Sequence, residues 1–258
     1  PAIPLEDIRR GLDAGEFEPF FQPKVNLADG AVSGAEALAR WRHPQKGVVA
    51  PYAFITAMEN NDLIDRLTWS MLEKSARACV EWMRRGLGAT VSVNLSLKSL
   101  GDPGLADRIT KLVGAQDLEP KCVVLEITES AAMTDLARAL ENLARLRMKG
   151  FGLSIDDYGT GYSSMQQLSR IPFSELKIDQ SFVLSAIEKG PSKVILASSL
   201  DMAKKLNLKA VAEGVETRAH WNLLKSLGCD VAQGYFVAKP MDAAAFGNWI
   251  REWAPPDG

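Results

Sequence analysis

The chain has 258 residues, 47% hydrophobic and 24% charged, with a formal net charge of −2. That length suits a single α/β barrel with a sizeable core. The near-neutral balance argues against a DNA-binding surface, and no apolar run reaches the ~18 residues of a membrane span.

Pro1 to Gly15 carries Glu6, Asp7, Arg9 and Arg10 and has no signal-peptide core. A chain that begins with proline is expected to come from a longer protein. The first strand is predicted over Glu18–Val25 and the second over Ala31–Ala39. Their link, Leu27-Ala28-Asp29-Gly30, has no room for a helix, and Asp-Gly signals a type I′ hairpin. Strand one should therefore run antiparallel to strand two.

Further strands are predicted over Thr90–Leu95, Cys122–Thr128, Gly152–Asp156, Glu175–Ile178, Lys209–Ala212 and Asp230–Gln233. Helical periodicity marks Asp65–Arg85, Asp135–Lys149, Ser192–Leu206, Arg218–Leu227 and Ala243–Trp253. Strands alternating with helices predict a parallel sheet. Residues 1–258 are read as one modified TIM (β/α)8 barrel with its first strand antiparallel to the rest. Cys79, Cys122 and Cys229 lie far apart and form no CxxC, so buried thiols in a reducing cytoplasm are expected rather than zinc or disulfides.

Such barrels carry their chemistry at the C-terminal ends of the strands. The predicted ends supply Glu36, Asn94, Glu126, the pair Asp156-Asp157, Lys177, Glu213 and Gln233. A single acidic residue after a strand is usually a helix cap or a solvated loop residue. Their recurrence on strand after strand is harder to dismiss, because closing the barrel aims them at one axis. Converging carboxylates repel unless protons or cations neutralise them. Oxygen donors without His or Cys favour Mg2+ or Mn2+, and the only histidines, His43 and His220, lie away from these ends. The Asp pair suits a carboxylate shared by two ions, an arrangement that activates water for in-line attack at phosphorus. Lys177 fits either of two roles there, orienting or deprotonating water, or stabilising charge on phosphorus. Gly159-Thr160-Gly161 lacks the Gly-Lys-Ser/Thr end of a phosphate loop, and no Gly-x-Ser-x-Gly elbow occurs.

Glu36-Ala37-Leu38-Ala39-Arg40-Trp41 resembles the signature of the EAL-domain phosphodiesterases. Phe21-Gln22-Pro23, Val93-Asn94-Leu95-Ser96, Leu125-Glu126-Ile127-Thr128-Glu129-Ser130, Asp156-Asp157-Tyr158-Gly159-Thr160-Gly161, Leu176-Lys177-Ile178-Asp179, Ala212-Glu213-Gly214-Val215-Glu216 and Gln233-Gly234-Tyr235 resemble further blocks of that family, in family order. The resemblance implies hydrolysis of cyclic di-GMP to linear 5′-pGpG. It implies two Mg2+ or Mn2+ ions on Glu36, Asn94, Glu126, Asp156, Asp157 and Glu213, with Lys177 beside the attacking water and Gln233 positioning substrate or water. Gln22, Leu38 and Arg40 match positions that hold the cyclic dinucleotide. Glu129 matches the anchor of the loop Asp157–Ser164, which in the family links the site to a dimer interface, and Glu216 is expected behind the ligands. A homodimer and a sensor or regulatory partner domain are expected, with no membrane contact from this domain itself. The one departure noticed is Tyr158, where phenylalanine is usual. The competing readings are a cyclic di-GMP receptor that passes occupancy to a partner domain, and a barrel phosphohydrolase acting on another ester.

Overall fold

A computed structural model describes residues 3–128, 136–158, 170–188 and 190–256. Its strands are β1 (Phe17–Asn26), β2 (Val32–His43), β3 (Gly47–Val49), β4 (Thr90–Asn94), β5 (Val123–Thr128), β6 (Gly152–Tyr158), β7 (Glu175–Ile178), β8 (Lys209–Ala212) and β9 (Val231–Ala232). The described helices are α1 (Leu5–Asp13), α2 (Ile55–Asn60), α3 (Ile64–Arg84), α4 (Leu97–Leu100), α5 (Leu105–Gly114), α6 (Leu136–Met148), α7 (Gln180–Ser185), α8 (Gly190–Lys205), α9 (Arg218–Ser226) and α10 (Ala243–Glu252).

The sheet runs β1-β9-β8-β7-β6-β5-β4-β2-β3, and pairing of β1 with β2 closes it into a barrel. Strand β3 lies outside the closed ring as an antiparallel flap on β2. From β2 through β4 to β9 the ring is parallel. Strand β1 is antiparallel to both of its neighbours. The reversed first strand expected from the short link is therefore present.

The turn itself differs from expectation. Gly30 adopts φ +71°, but Asp29 is not among the residues with positive φ, so this is not a type I′ turn, which needs both. Five residues rather than two span the gap, and Asp29 Oδ1 instead accepts from the Ala31 N–H at 2.9 Å.

Successive strand residues face opposite sides of the barrel wall. The outward set is apolar and buried: Val91, Val93, Leu125, Ile127, Leu153, Ile155, Leu176 and Ile178. Helices cover it. On α3, Leu67, Met71, Leu72, Ala78, Cys79 and Trp82 recur at helical spacing and are buried. Trp82 meets Phe21 of β1 edge-on at 4.7 Å and Phe246 of α10 at 4.4 Å. The inward set is different: Lys24, Glu36, Ser92, Glu126, Ser154, Glu175 and Lys177 are all buried. An ordinary barrel of this class fills that space with branched aliphatic residues. The polar interior is what the fold contributes to function.

Candidate active site

Lys177, on the inward face of β7, stands at the centre. Its Nζ lies 3.1 Å from Glu36 Oε2, 2.8 Å from Glu126 Oε2, 3.0 Å from Asp156 Oδ1 and 2.8 Å from Glu213 Oε1. These partners come from β2, β5, β6 and the residue just after β8. Glu36 also accepts from Asn94 Nδ2 at 3.2 Å and from Gln233 Nε2 at 2.7 Å. Gln233 donates as well to Gln22 Oε1 at 3.2 Å, across the seam between β9 and β1. The inward faces of the strands thus bring the predicted carboxylates, amides and lysine together, although Glu36 lies within β2, which runs on to His43, rather than at its end.

The Asp pair needs a local irregularity. Adjacent strand residues normally point to opposite faces. The register of β6 against β7 shifts between Ile155 and Tyr158, and Asp157 adopts φ +56°. This bulge turns Asp157 back toward the mouth, as bulges beside active sites do. Oxygens of Asp156, Asp157 and Glu213 lie within 4.8 Å of one another, and so do those of Glu36, Glu126 and Asp156. Asp156 belongs to both groups.

Leu38 and Arg40 follow Glu36 on the same face of β2. Leu38 and Asn94 line a cavity of about 700 Å3 floored by Ile55, Leu67 and Met71. Burial lowers the Arg40 pKa, against the opposing pull of Tyr235 and Glu36. Tyr158 keeps its ring against the core and donates its hydroxyl to Met202 Sδ at 3.3 Å. Glu216 is exposed, and among the described residues no hydrogen bond ties its side chain to the cluster. Its N–H donates to His220 Nδ1 at 3.3 Å. Glu129, and the loop Asp157–Ser164 beyond Tyr158, lie outside the described residues.

The electrostatics follow from crowding in a dry space. Burial works to raise the Glu36 carboxyl, but Lys177, Gln233 and Lys24 hold it at about 2. Burial, reinforced by Glu36, pushes Glu126 up to about 8 against the pull of Lys177 and Lys24. Glu213 rises to about 7, by burial first and then by Glu36 and Asp156, with Lys177 opposing. Burial works to strip the Lys177 proton, yet the surrounding carboxylates keep its pKa well above the usual value. Gln233 Oε1 is buried with no hydrogen-bond partner among the described residues.

Sequence reasoning missed a second layer beneath this cluster. Lys24, buried on β1, donates to Ser92 Oγ at 2.6 Å and Glu175 Oε1 at 2.8 Å, and reaches Glu126 Oε1 at 3.4 Å. The available signal was spacing: Lys24 lies two residues beyond Gln22, and Glu175 two before Lys177, each on an inward face. The three cysteines are free and buried, as expected, and burial raises Cys79 and Cys229 to about 12.

The EAL domain family model matches residues 5–240. The cyclic di-GMP phosphodiesterase RocR of Pseudomonas aeruginosa is 40% identical over 242 residues, which are 94% of this chain and 62% of RocR. MucR of the same organism, a bifunctional diguanylate cyclase/cyclic di-GMP phosphodiesterase, is 39% identical over 240 residues, 93% of this chain and 35% of MucR. The MucR phosphodiesterase in its c-di-GMP complex superposes with a TM-score of 0.90 at 38% identity, covering 94% of this chain and 98% of that one. The chain therefore spans less than two thirds of the length of these curated relatives.

Proposed function

The chain belongs to the EAL-domain family, and we propose that it hydrolyses cyclic di-GMP to linear 5′-pGpG with two Mg2+ or Mn2+ ions at the barrel mouth. One observation carries the reading: Lys177 sits among four carboxylates, three from strands and one just after a strand, with both Asn94 and Gln233 in the same network.

The donor set fits hard divalent ions. It is all oxygen, it falls into two groups sharing Asp156, and Glu126 and Glu213 hold protons that a cation would displace. Glu36, Asn94, Glu126, Asp156, Asp157 and Glu213 are the proposed ligands. When bound, such ions supply Lewis-acid charge and acidify water. The chain's own contributions are separate. Lys177 directs its ammonium at the converging carboxylates, and its proposed role is that of a donor that stabilises negative charge at the mouth. Gln233 is held through its amide nitrogen by Glu36 and Gln22, and its buried carbonyl oxygen, unpartnered among the described residues, is the group proposed to accept from water or substrate. Gln22, Leu38 and Arg40 are the residues proposed to hold the dinucleotide, and of these Leu38 lines the cavity beside Asn94.

Purified protein should convert cyclic di-GMP to pGpG with Mg2+ or Mn2+, and EDTA should stop it; chromatography of the products checks this. Tight nucleotide binding without product over hours would instead make the domain a receptor. Preferred cleavage of an unrelated phosphodiester would move the substrate class.

The pH dependence of stability provides a readout independent of turnover. In the unfolded chain Glu126 and Glu213 titrate near pH ~4.3. In the fold they hold protons up to about 8 and about 7. Between those limits the native state binds more protons than the unfolded state, so stability falls as pH rises. Glu36, at about 2, contributes the opposite sign, stabilising above the unfolded value and losing that contribution as pH drops toward its own. The Tm of metal-free protein should therefore fall from about pH 5 to about pH 8, and Mg2+ should raise Tm progressively more over that range. Differential scanning fluorimetry measures both. A Mg2+ shift that is flat with pH would remove Glu126 and Glu213 from the ligand set.

A homodimer and a regulatory domain elsewhere in a longer cytoplasmic protein belong to the same proposal. The exposed apolar side chains Ile187, Val194 and Ile195 around α8 offer a surface for a second copy. No described helix is long and apolar enough to cross a membrane.

A further inference from the structure

We propose that Lys24 is a positioning residue for Glu126: it grips one carboxylate oxygen from the closed side of the barrel, so that the other stays aimed at the mouth. The inference deepens the two-ion reading and rests on it.

The reversed direction of β1 makes this possible. On a parallel strand, residues after the active-site position climb out of the barrel. On β1 they descend, so Gln22 meets Gln233 at the mouth while Lys24 lies a layer below. Three N–H groups of its ammonium meet three acceptors, on Ser92, Glu175 and Glu126. The first two hold it at 2.6 and 2.8 Å, and the third contact, at 3.4 Å, is the one that reaches upward. Glu126 then has an ammonium on each oxygen, Lys24 at Oε1 and Lys177 at Oε2. Glu126 has no exposed surface.

Stability alone is a poor explanation for this arrangement. A buried ion pair gains little over well-packed apolar side chains of the same volume. A group that orients a metal-ligating carboxylate is a different matter, because removing such support weakens metal binding or activity by about 10–100-fold. Simple electrostatics has the opposite sign: deleting a positive charge beside a cation site would tighten cation binding. The sign of the change in affinity therefore separates orientation from bulk charge.

The test is Lys24→Met in the same protein, with Mn2+ affinity read by isothermal titration calorimetry and folding checked by circular dichroism. Affinity should weaken by about tenfold or more, and kcat should fall while KM for cyclic di-GMP stays within about twofold. Ser92→Ala, which removes one anchor of Lys24 without changing the charge, should weaken Mn2+ binding by about threefold or more, and it carries the test alone if Lys24→Met does not fold. Smaller changes in both, or tighter binding in a folded Lys24→Met protein, would overturn the assignment, even if Tm drops. Wild-type protein that neither binds Mn2+ nor cleaves the dinucleotide would overturn the two-ion reading and this inference with it. Wild-type protein that does both, matched by Lys24→Met, would overturn the role of Lys24 only.

Discussion

Lys177→Met is expected to lower kcat for cyclic di-GMP by about 10³-fold, the scale on which a positioned proton donor or charge stabiliser acts. Its ammonium is the common partner of Glu36, Glu126, Asp156 and Glu213, all within 3.1 Å. Methionine fills the volume and supplies no charge. The same substitution should destabilise metal-free protein by about 3–5 kcal/mol at neutral pH, because removing one partner of a buried ion pair leaves the others uncompensated. Both losses have one cause but respond differently to divalent ions. Mg2+ neutralises the carboxylates and should restore much of the stability, so the Mg2+-induced rise in Tm should exceed that of the wild type. It should not restore turnover, since no other described cation stands where Lys177 does; Lys24 lies on the opposite side of Glu126. Steady-state kinetics at saturating Mg2+ together with thermal melts measure the pair. Turnover within tenfold of wild type would show that Lys177 is a structural counter-ion and nothing more.

The carboxylate-rich strand ends were readable because each lies in or just after a short run that reads as strand, and barrel closure converts that repetition into convergence. The reversed first strand was readable for a harder reason: four residues cannot hold a crossover helix. What escaped detection lies where one side chain has two meanings. Lys24 and Glu175 sit in apolar strands as single charges, and local pattern gives a lone charge to solvent. Only the closed barrel shows that two strands distant in sequence place them face to face. The Asp157 bulge was invisible because a non-glycine residue at φ +56° carries no compositional mark. The adjacent Asp pair suggests one site in the sequence, without showing the backbone irregularity that brings both side chains to the same mouth. Short elements were missed for lack of period. Flap β3 has only the residues Gly47–Val49, and α2, α4 and α7 are too brief for a hydrophobic repeat. Conversely, Asp230–Gln233 was expected as strand but only Val231–Ala232 pairs regularly, because the chain leaves the ladder to pack Gly234 against Val215.

That packing sets up the other large effect. Gly234→Ala is expected to destabilise the protein by about 3 kcal/mol, the upper range for overpacking a filled site. For a chain of this size that lowers Tm by about 6–12 °C. A Cβ on Gly234 would stand 2.2 Å from Val215 O, 2.3 Å from Val215 N and 2.7 Å from Val215 C. All three are backbone atoms, so no rotamer change relieves the clash. The segments are also tied together, Val215 N–H donating to Gln233 O at 3.1 Å and Phe236 N–H to Val215 O at 2.9 Å. Separating them opens the seam that holds Gln233 on one side and Glu213 on the other. Gln233 then moves from Glu36, now 2.7 Å away, and Glu213 from Lys177, now 2.8 Å away. A displacement of about 1 Å in positioning groups reduces turnover by about 10²-fold. Gly114→Ala, at the end of α5 with nothing within 4 Å, is the control. It should leave kcat unchanged and Tm equal or higher, because alanine favours helix. A Gly234→Ala protein with wild-type Tm and kcat would mean that the β8–β9 seam yields freely, and that Gln233 and Glu213 need no fixed separation to do their work.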